Sequence, residues 1–252
     1  MRLGITVPAA VLALMASFAH ATCSTRSAAN HPHLVELYTS EGCSSCPPAE
    51  KWMSSLRGKS DIVGLEFHVD YWDTNDWRDP FDNHAYTKRQ IALARRTREG
   101  QAYTPQIWLD GQLWYNWPRG TPPALYQGAA PTLQLDVQKD AGLRAHVDVS
   151  GMHDDADALH TYVALTENGL SENVKGGENR GKTLAHDEVV RAFAGPLSGP
   201  QASAELELPA TINLAQSSVV AFVQDDRNGN VVQVARVPLA GCGLAQAQNP
   251  AQ

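Results

Sequence analysis

The sequence predicts an α/β unit followed by a β-rich, sandwich-like unit. Three observations carry this. Between residues 33 and 113 strand and helix patterns alternate, as in a sheet with crossover helices. A C-x-x-C motif, Cys43 and Cys46, stands at one strand-to-helix junction. Beyond a cluster of Pro118, Pro122, Pro123 and Pro131, the strong signals are all short strands.

Residues 1–21 read as a secretory signal peptide. Arg2 is positive, residues 3–18 are apolar but too short and interrupted to span a bilayer, and Ala19-His20-Ala21 offers a small-x-small cleavage site. A membrane anchor is the weaker reading. So is a lipoprotein modified at Cys23, because His20 stands where such a signal carries a Leu-like residue. The mature chain is expected to be periplasmic or secreted, without membrane contact. Removing Arg2 from the 20 basic residues leaves 19 against 27 acidic ones, moving the net charge from −7 to −8. The acidic charge is scattered. No nucleic-acid partner is expected, because neutralising phosphates needs clustered Lys and Arg.

Residues 33–39 (HLVELYT) are a β-favouring apolar run. The stretch AEKWMSSLRG then spaces Ala49, Trp52, Met53 and Leu56 at helical intervals and stops at Gly58. Residues 62–71 (IVGLEFHVDY) read as a second strand, and 83–98 as a helix ending at Glu99-Gly100. Its basic residues Lys88, Arg89, Arg95, Arg96 and Arg98 read as a solvated face. Residues 103–109 begin a third strand, and Asp110-Gly111 signals a hairpin. One domain is therefore expected over 30–128. The runs TLQLDVQ, LRAHVDVS, LHTYVALTE, SAELELPA, SSVVAFVQD and VVQVARVPL define a β-rich second domain over 129–242, with 243–252 as a flexible tail.

In an exported chain, thiols that can meet tend to pair. Cys43–Cys46 with Cys23–Cys242 is the simplest of three connectivities for four cysteines. Pro47 and Pro48 refine the first pair. A proline costs about 3 kcal/mol inside a helix but is tolerated in its first turn. The helix should therefore begin near Pro47, with Cys46 at its cap and Cys43 further out as the more accessible sulfur. A helix N-terminus favours a thiolate. Glu41 opposes this, since a nearby carboxylate raises a thiol pKa.

Residues 34–48 (LVELYTSEGCSSCPP), 67–73 (FHVDYWD), 77–81 (WRDPF), 103–106 (YTPQ) and 176–191 (GGENRGKTLAHDEVVR) resemble those of an uncharacterised secreted bacterial thioredoxin-like family, a domain of unknown function. The resemblance spans residues 33–240 and implies a thioredoxin-like N-terminal domain before the β-rich part. It also implies a cis Thr104–Pro105 bond packed against the C-x-x-C pair. It brings no established substrate. This chain departs from the pattern at Glu66, where a small or apolar residue is expected, and at His186, where an aromatic is usual.

Strand alternation puts Glu66, His68 and Asp70 on one face. His68 or Asp70 can relay a proton to Cys46, or hold the following loop by hydrogen bonds; Trp72 and Trp77 can wall the site or fill the core. A metal set of Cys43, Cys46 and His68 lacks the second C-x-x-C or H-x-H element of a zinc site. The letters GGENRGKT at 176–183 fit a P-loop, but no buried strand leads into them, so a hairpin loop is expected. The favoured chemistry is thiol–disulfide exchange, with Cys43, Cys46 and Pro105 catalytic and Thr104, His68, Asp70 and Trp72 supporting. Cys23 and Cys242 form a structural bridge, no cofactor is needed, and the partners are protein thiols or disulfides. Two alternatives stay open: a non-enzymatic binding module with a structural disulfide, and a metal-binding protein. Oligomeric state is left open.

Overall fold

Fourteen strands and two helices organise the described part of the chain. In order they are β1 (Thr22–Arg26), β2 (His33–Thr39), α1 (Pro47–Leu56), β3 (Ile62–His68), α2 (His84–Ala94), β4 (Gln106–Leu109), β5 (Gln112–Leu113), β6 (Thr132–Lys139), β7 (Leu143–Ser150) and β8 (Leu159–Glu167). Then come β9 (Leu170–Asn173), β10 (Thr183–His186), β11 (Val189–Ser198), β12 (Gln201–Leu206), β13 (Ser217–Asp225) and β14 (Val231–Pro238). The structure is a computed structural model that describes residues 22–28, 32–98, 100–120, 122–123, 125, 130–151 and 156–244. The signal-peptide reading of 1–21 and residues 245–252 of the expected tail lie outside them. No helix among the described residues is long and apolar enough to cross a membrane.

Eight strands form one sheet in the order β14-β13-β8-β11-β3-β2-β4-β5. A four-stranded sheet, β1-β6-β7-β12, covers part of one face, and β9 pairs with β10 in a hairpin. Strand alternation builds the cores. Val219, Ala221 and Val223 of β13 and Val163 and Leu165 of β8 meet Leu133, Leu135, Val137, Ala145 and Val147 of the smaller sheet. The intervening Val220, Phe222, Tyr162 and Ala164 face the other way, into a core shared with Phe67, Tyr86 and Leu93. Burial on both faces explains why these strands read as nearly continuous apolar runs. Ala49, Met53 and Leu56 of α1 pack on Val35 and Leu37 of β2, together with Ile107 of β4.

The expected fold class is therefore corrected. An α/β, thioredoxin-like N-terminal domain followed by a β domain does not form; the molecule is β-rich with only two α-helices among the described residues. Strands from before residue 129 and after it share one sheet. The joining strand is β11, which pairs antiparallel with β8 and meets β3 in parallel at Val189–Glu66. The sequence hides β11. Its run VVRAFAGPLS is broken by Gly195-Pro196, which register shifts between Ala194 and Leu197 absorb. Prolines inside a run argue against a central strand, so the link between the halves goes unread.

Two smaller corrections follow. The second strand ends at His68, not residue 71, and Asp70–Trp72 form a 3-10 turn. In α2, Arg89 is not on a solvated face. Its guanidinium pairs with Glu36 through two bonds of 2.7 and 2.8 Å and lies over the rings of Tyr162, Phe193 and Phe222.

Candidate functional site

The turn after β2 carries the cysteine pair. Cys43 and Cys46 are joined, and Cys46 is the N-cap of α1 with Pro47 and Pro48 in the first turn. The amides of Ala49 and Glu50 both donate to the Cys46 carbonyl, at 2.8 and 3.2 Å. The helix thus starts where its prolines cost no backbone bond. Cys23 and Cys242 form the other bridge, joining β1 to the turn after β14.

The expectation that Cys43 is the accessible sulfur is corrected: both Cys43 and Cys46 are 0% exposed. Packed against their turn is the loop between β9 and β10, residues 174–182, which includes most of the P-loop-like letters. The Glu178 amide donates to the Gly42 carbonyl at 3.0 Å. Its carboxylate accepts from the amide and the hydroxyl of Ser44, at 2.9 and 2.7 Å. Asn179, fully buried, donates from Nδ2 to the carbonyls of Glu41 and Cys43, each at 2.9 Å. The approach needs glycine. Gly177 has φ +65°, and a Cβ there would stand 2.6 Å from Gly42 Cα.

The tryptophan pair lies against the same turn. A Cβ on Gly42 would stand 3.0 Å from Trp72 Cβ and 3.2 Å from Trp77 Cζ3. Trp72 also donates its indole N–H to Thr104 Oγ1 at 2.8 Å. Thr104 precedes Pro105 through a cis bond, so Trp72 spans from the cysteine turn to the cis-proline turn. A second cis bond, Gly195–Pro196, had no sequence signal.

Beside the turn lies a buried polar cluster. Glu41, Glu50, Glu66, Asp79, His68 and His186 are each at most 3% exposed. Glu66 Oε1 lies 3.1 Å from His68 Nε2 and 3.0 Å from His186 Nδ1. On the outer side of each ring sits another carboxylate: Asp79 Oδ2 is 2.8 Å from His68 Nδ1, and Glu41 Oε1 is 3.4 Å from His186 Nε2. Asp79 also accepts the Glu41 amide at 2.8 Å, which ties the cluster to the cysteine turn. Thr39 donates to Glu50 at 2.6 Å.

Burial disfavours every charge here, and the neighbours decide the sign. For Glu66 burial pushes the pKa up, but bonds from His186 and His68 hold it below the usual carboxylate range. Burial works against a charged His68, yet Asp79 and Glu66 hold it well above its ordinary value. His186 is likewise held up, to about 9, by Glu41 and Glu66 against its burial. Glu50 is pushed up to about 7 by burial and by the charge of Glu66.

Residues 34–224 match the model of a family described as a protein of unknown function, DUF1223. The chain belongs to this family. No curated protein matches this DUF1223 member. Two solved structures resemble it in fold. Protein AGR_C_4864 from Agrobacterium tumefaciens is 20% identical with a TM-score of 0.55, over 87% of this chain and 96% of that one. HBP35 of Porphyromonas gingivalis is 15% identical with a TM-score of 0.55, over 90% of this chain and 80% of that one.

Of the residues singled out in the sequence, Cys43, Cys46, Trp72, Thr104 and Pro105 thus belong to one set of connected turns. His68 joins the buried cluster. Asp70 does not: its carboxylate accepts from Thr87 at 2.5 Å and meets His84 at 2.7 Å, which anchors the turn after β3 to α2. Burial pushes its pKa up, but these two partners outweigh it and hold the carboxyl down. Glu50, Asp79, Glu178 and Asn179 were not singled out, although the last three lie inside the segments 77–81 and 176–191 that carry the family resemblance. His186 was visible only as a departure from the family pattern, and Glu66 both as such a departure and on the strand face shared with His68. Glu66 and His186 prove to be partners, 120 residues apart in sequence.

Proposed function

We propose that this exported protein carries out thiol–disulfide exchange with protein thiols or disulfides at Cys43–Cys46, in the periplasm or outside the cell. The observation that carries the reading is the placement of Cys46 as the N-cap of α1 with two prolines behind it. On reduction, the first-turn N–H groups and the helix dipole stabilise a thiolate. In the exchange step a partner disulfide is attacked by the Cys43 thiolate, one partner sulfur leaves as thiolate, and a mixed disulfide forms. Cys46 then attacks Cys43, restores the Cys43–Cys46 bond and releases the second partner sulfur, reduced. The reverse sequence oxidises a partner dithiol. No bound cofactor is required. Trp72 and Thr104 link the cis Thr104–Pro105 turn to the cysteine turn. Because both sulfurs are buried, exchange requires the turn to open, and we assign that opening to lifting of the 174–182 loop bonded to it.

That burial also favours a second reading, a structural staple in a non-enzymatic module. Reduction potential separates the two: a value below about −300 mV indicates a staple, and a value in the range of oxidoreductases indicates exchange. Trapping tests the roles. Cys46→Ala is expected to accumulate mixed disulfides with partner proteins on a non-reducing gel, and Cys43→Ala few. If neither variant traps and the native wild-type pair resists dithiothreitol, the exchange reading is lost.

A further inference from the structure

The buried cluster presents more negative charge than its two imidazoles can balance. Four carboxylates, Glu41, Glu50, Glu66 and Asp79, surround His68 and His186. Among the described residues no lysine or arginine pairs with any of the four. Both oxygens of Glu41, Oε2 of Glu66 and Nε2 of His186 have no hydrogen-bond partner. Glu41 Oε1 and His186 Nε2 face each other at 3.4 Å, but Glu41 Oε2 and Glu66 Oε2 remain without a polar partner, and buried polar atoms left so are costly and call for a missing counterpart.

We propose that Glu66, His68 and His186 bind a divalent first-row transition metal ion such as zinc or iron. Their donor atoms converge, all within 4.8 Å of one another. Two imidazoles and one carboxylate form a recognised ligand set for such ions. The separations of Glu66 Oε1 from His68 Nε2 and from His186 Nδ1, 3.1 and 3.0 Å, suit neighbouring ligands around an ion about 2.0–2.2 Å from each. Glu66 Oε2 is free to turn to the same ion. The outer carboxylates complete the logic. Asp79 accepts a hydrogen bond from His68 Nδ1–H and leaves Nε2 as the ligand; Glu41 faces His186 Nε2 and leaves Nδ1 as the ligand. Carboxylate-backed imidazoles are the usual second layer of a metal site. The ligand set contains neither cysteine, so it differs from the Cys43, Cys46 and His68 set weighed from the sequence, and it does not depend on the exchange chemistry.

The test uses the full mature chain, stripped with a chelator and then titrated with Zn²⁺, Mn²⁺, Co²⁺ and, without oxygen, Fe²⁺. Binding of about one ion per chain is expected, with a melting temperature that rises with free metal. The cobalt form should show visible d–d bands without a thiolate charge-transfer band. Glu66→Gln and His186→Gln should abolish saturable binding, and Asp79→Asn should weaken it about 10–100-fold. A Cys43→Ser/Cys46→Ser double variant should keep it. Should the cluster variants fold poorly, the wild-type readings decide. No saturable binding by any of the four ions, or a cobalt–thiolate band, overturns the proposal, as does wild-type affinity in folded Glu66→Gln or His186→Gln.

Discussion

Asn179 holds the cysteine turn with a single amide group, and nothing in its local sequence announces this. Its Nδ2 serves the carbonyls of Glu41 and Cys43, while its Oδ1 accepts from Lys182 at 2.9 Å. Asn179→Ala leaves buried carbonyls unpaired, at about 1–3 kcal/mol. If loop opening limits access to the sulfurs, native-state reduction by dithiothreitol should speed up by about 5- to 150-fold, since 1.36 kcal/mol is a factor of ten. Thiol-release kinetics read the rate, and a urea midpoint measured in parallel reports global stability. An unchanged rate would show that the shielding comes from elsewhere. The contrast with Cys46 is instructive. Its place at the head of α1 was legible, because two following prolines restrict where a helix can start. Its burial was not, because residues bonded to its turn lie more than 130 positions away. Proline acts on its own backbone, whereas exposure depends on whatever else the chain brings over.

At the level of elements, strands with clean alternation were legible and those defined by their partners were not. The β7, β8 and β13 runs have the bounds expected from the sequence. The β9–β10 hairpin and β11 lack such a pattern and owe their form to pairing. One contact between elements carries a pH signature. His33, at the start of β2, has Nδ1 2.6 Å from Asp110 Oδ2 in the β4–β5 turn and Nε2 2.9 Å from the Pro123 carbonyl. The bond to Asp110 raises the His33 pKa; burial opposes this, while the charges of Asp110 and Asp61 and the Pro123 carbonyl assist. A raised folded pKa means that the stabilisation is fully present below the unfolded value, about 6.5, and is lost as pH rises through the folded one. Its size is on the order of 1 kcal/mol. Asp110→Asn keeps the acceptor for the Leu34 amide but removes the charge. Urea midpoints at acid and alkaline pH should therefore differ less in the variant than in the wild type. Equal pH dependence in both would dismiss the pairing as a source of stability.

Across the whole molecule, the two halves expected from the sequence are held as one by groups whose partners lie far along the chain. Arg89 of α2 pairs with Glu36 of β2 and reaches Gln224 of β13 at 3.2 Å. Glu36 is fully buried. Arg89→Met strands that carboxylate, and losing one partner of a buried pair costs about 3–5 kcal/mol. With a shared sheet the loss should appear as one cooperative transition at lower denaturant, followed by both fluorescence and far-UV circular dichroism. Two separated transitions would mean that the halves unfold independently. The bridge from Cys23 to Cys242 acts on the same scale. It spans 219 positions, so in the chain-entropy account it removes about 5 kcal/mol of freedom from the unfolded ensemble. It also makes the chain between those cysteines a covalent ring. Pulling on the two ends outside that ring loads the sulfur–sulfur bond first, and no strand pairing inside it is sheared. A single proteolytic nick in any loop between them opens the ring but releases no fragment. Until that bond is reduced, the fold is mechanically invisible from its own ends.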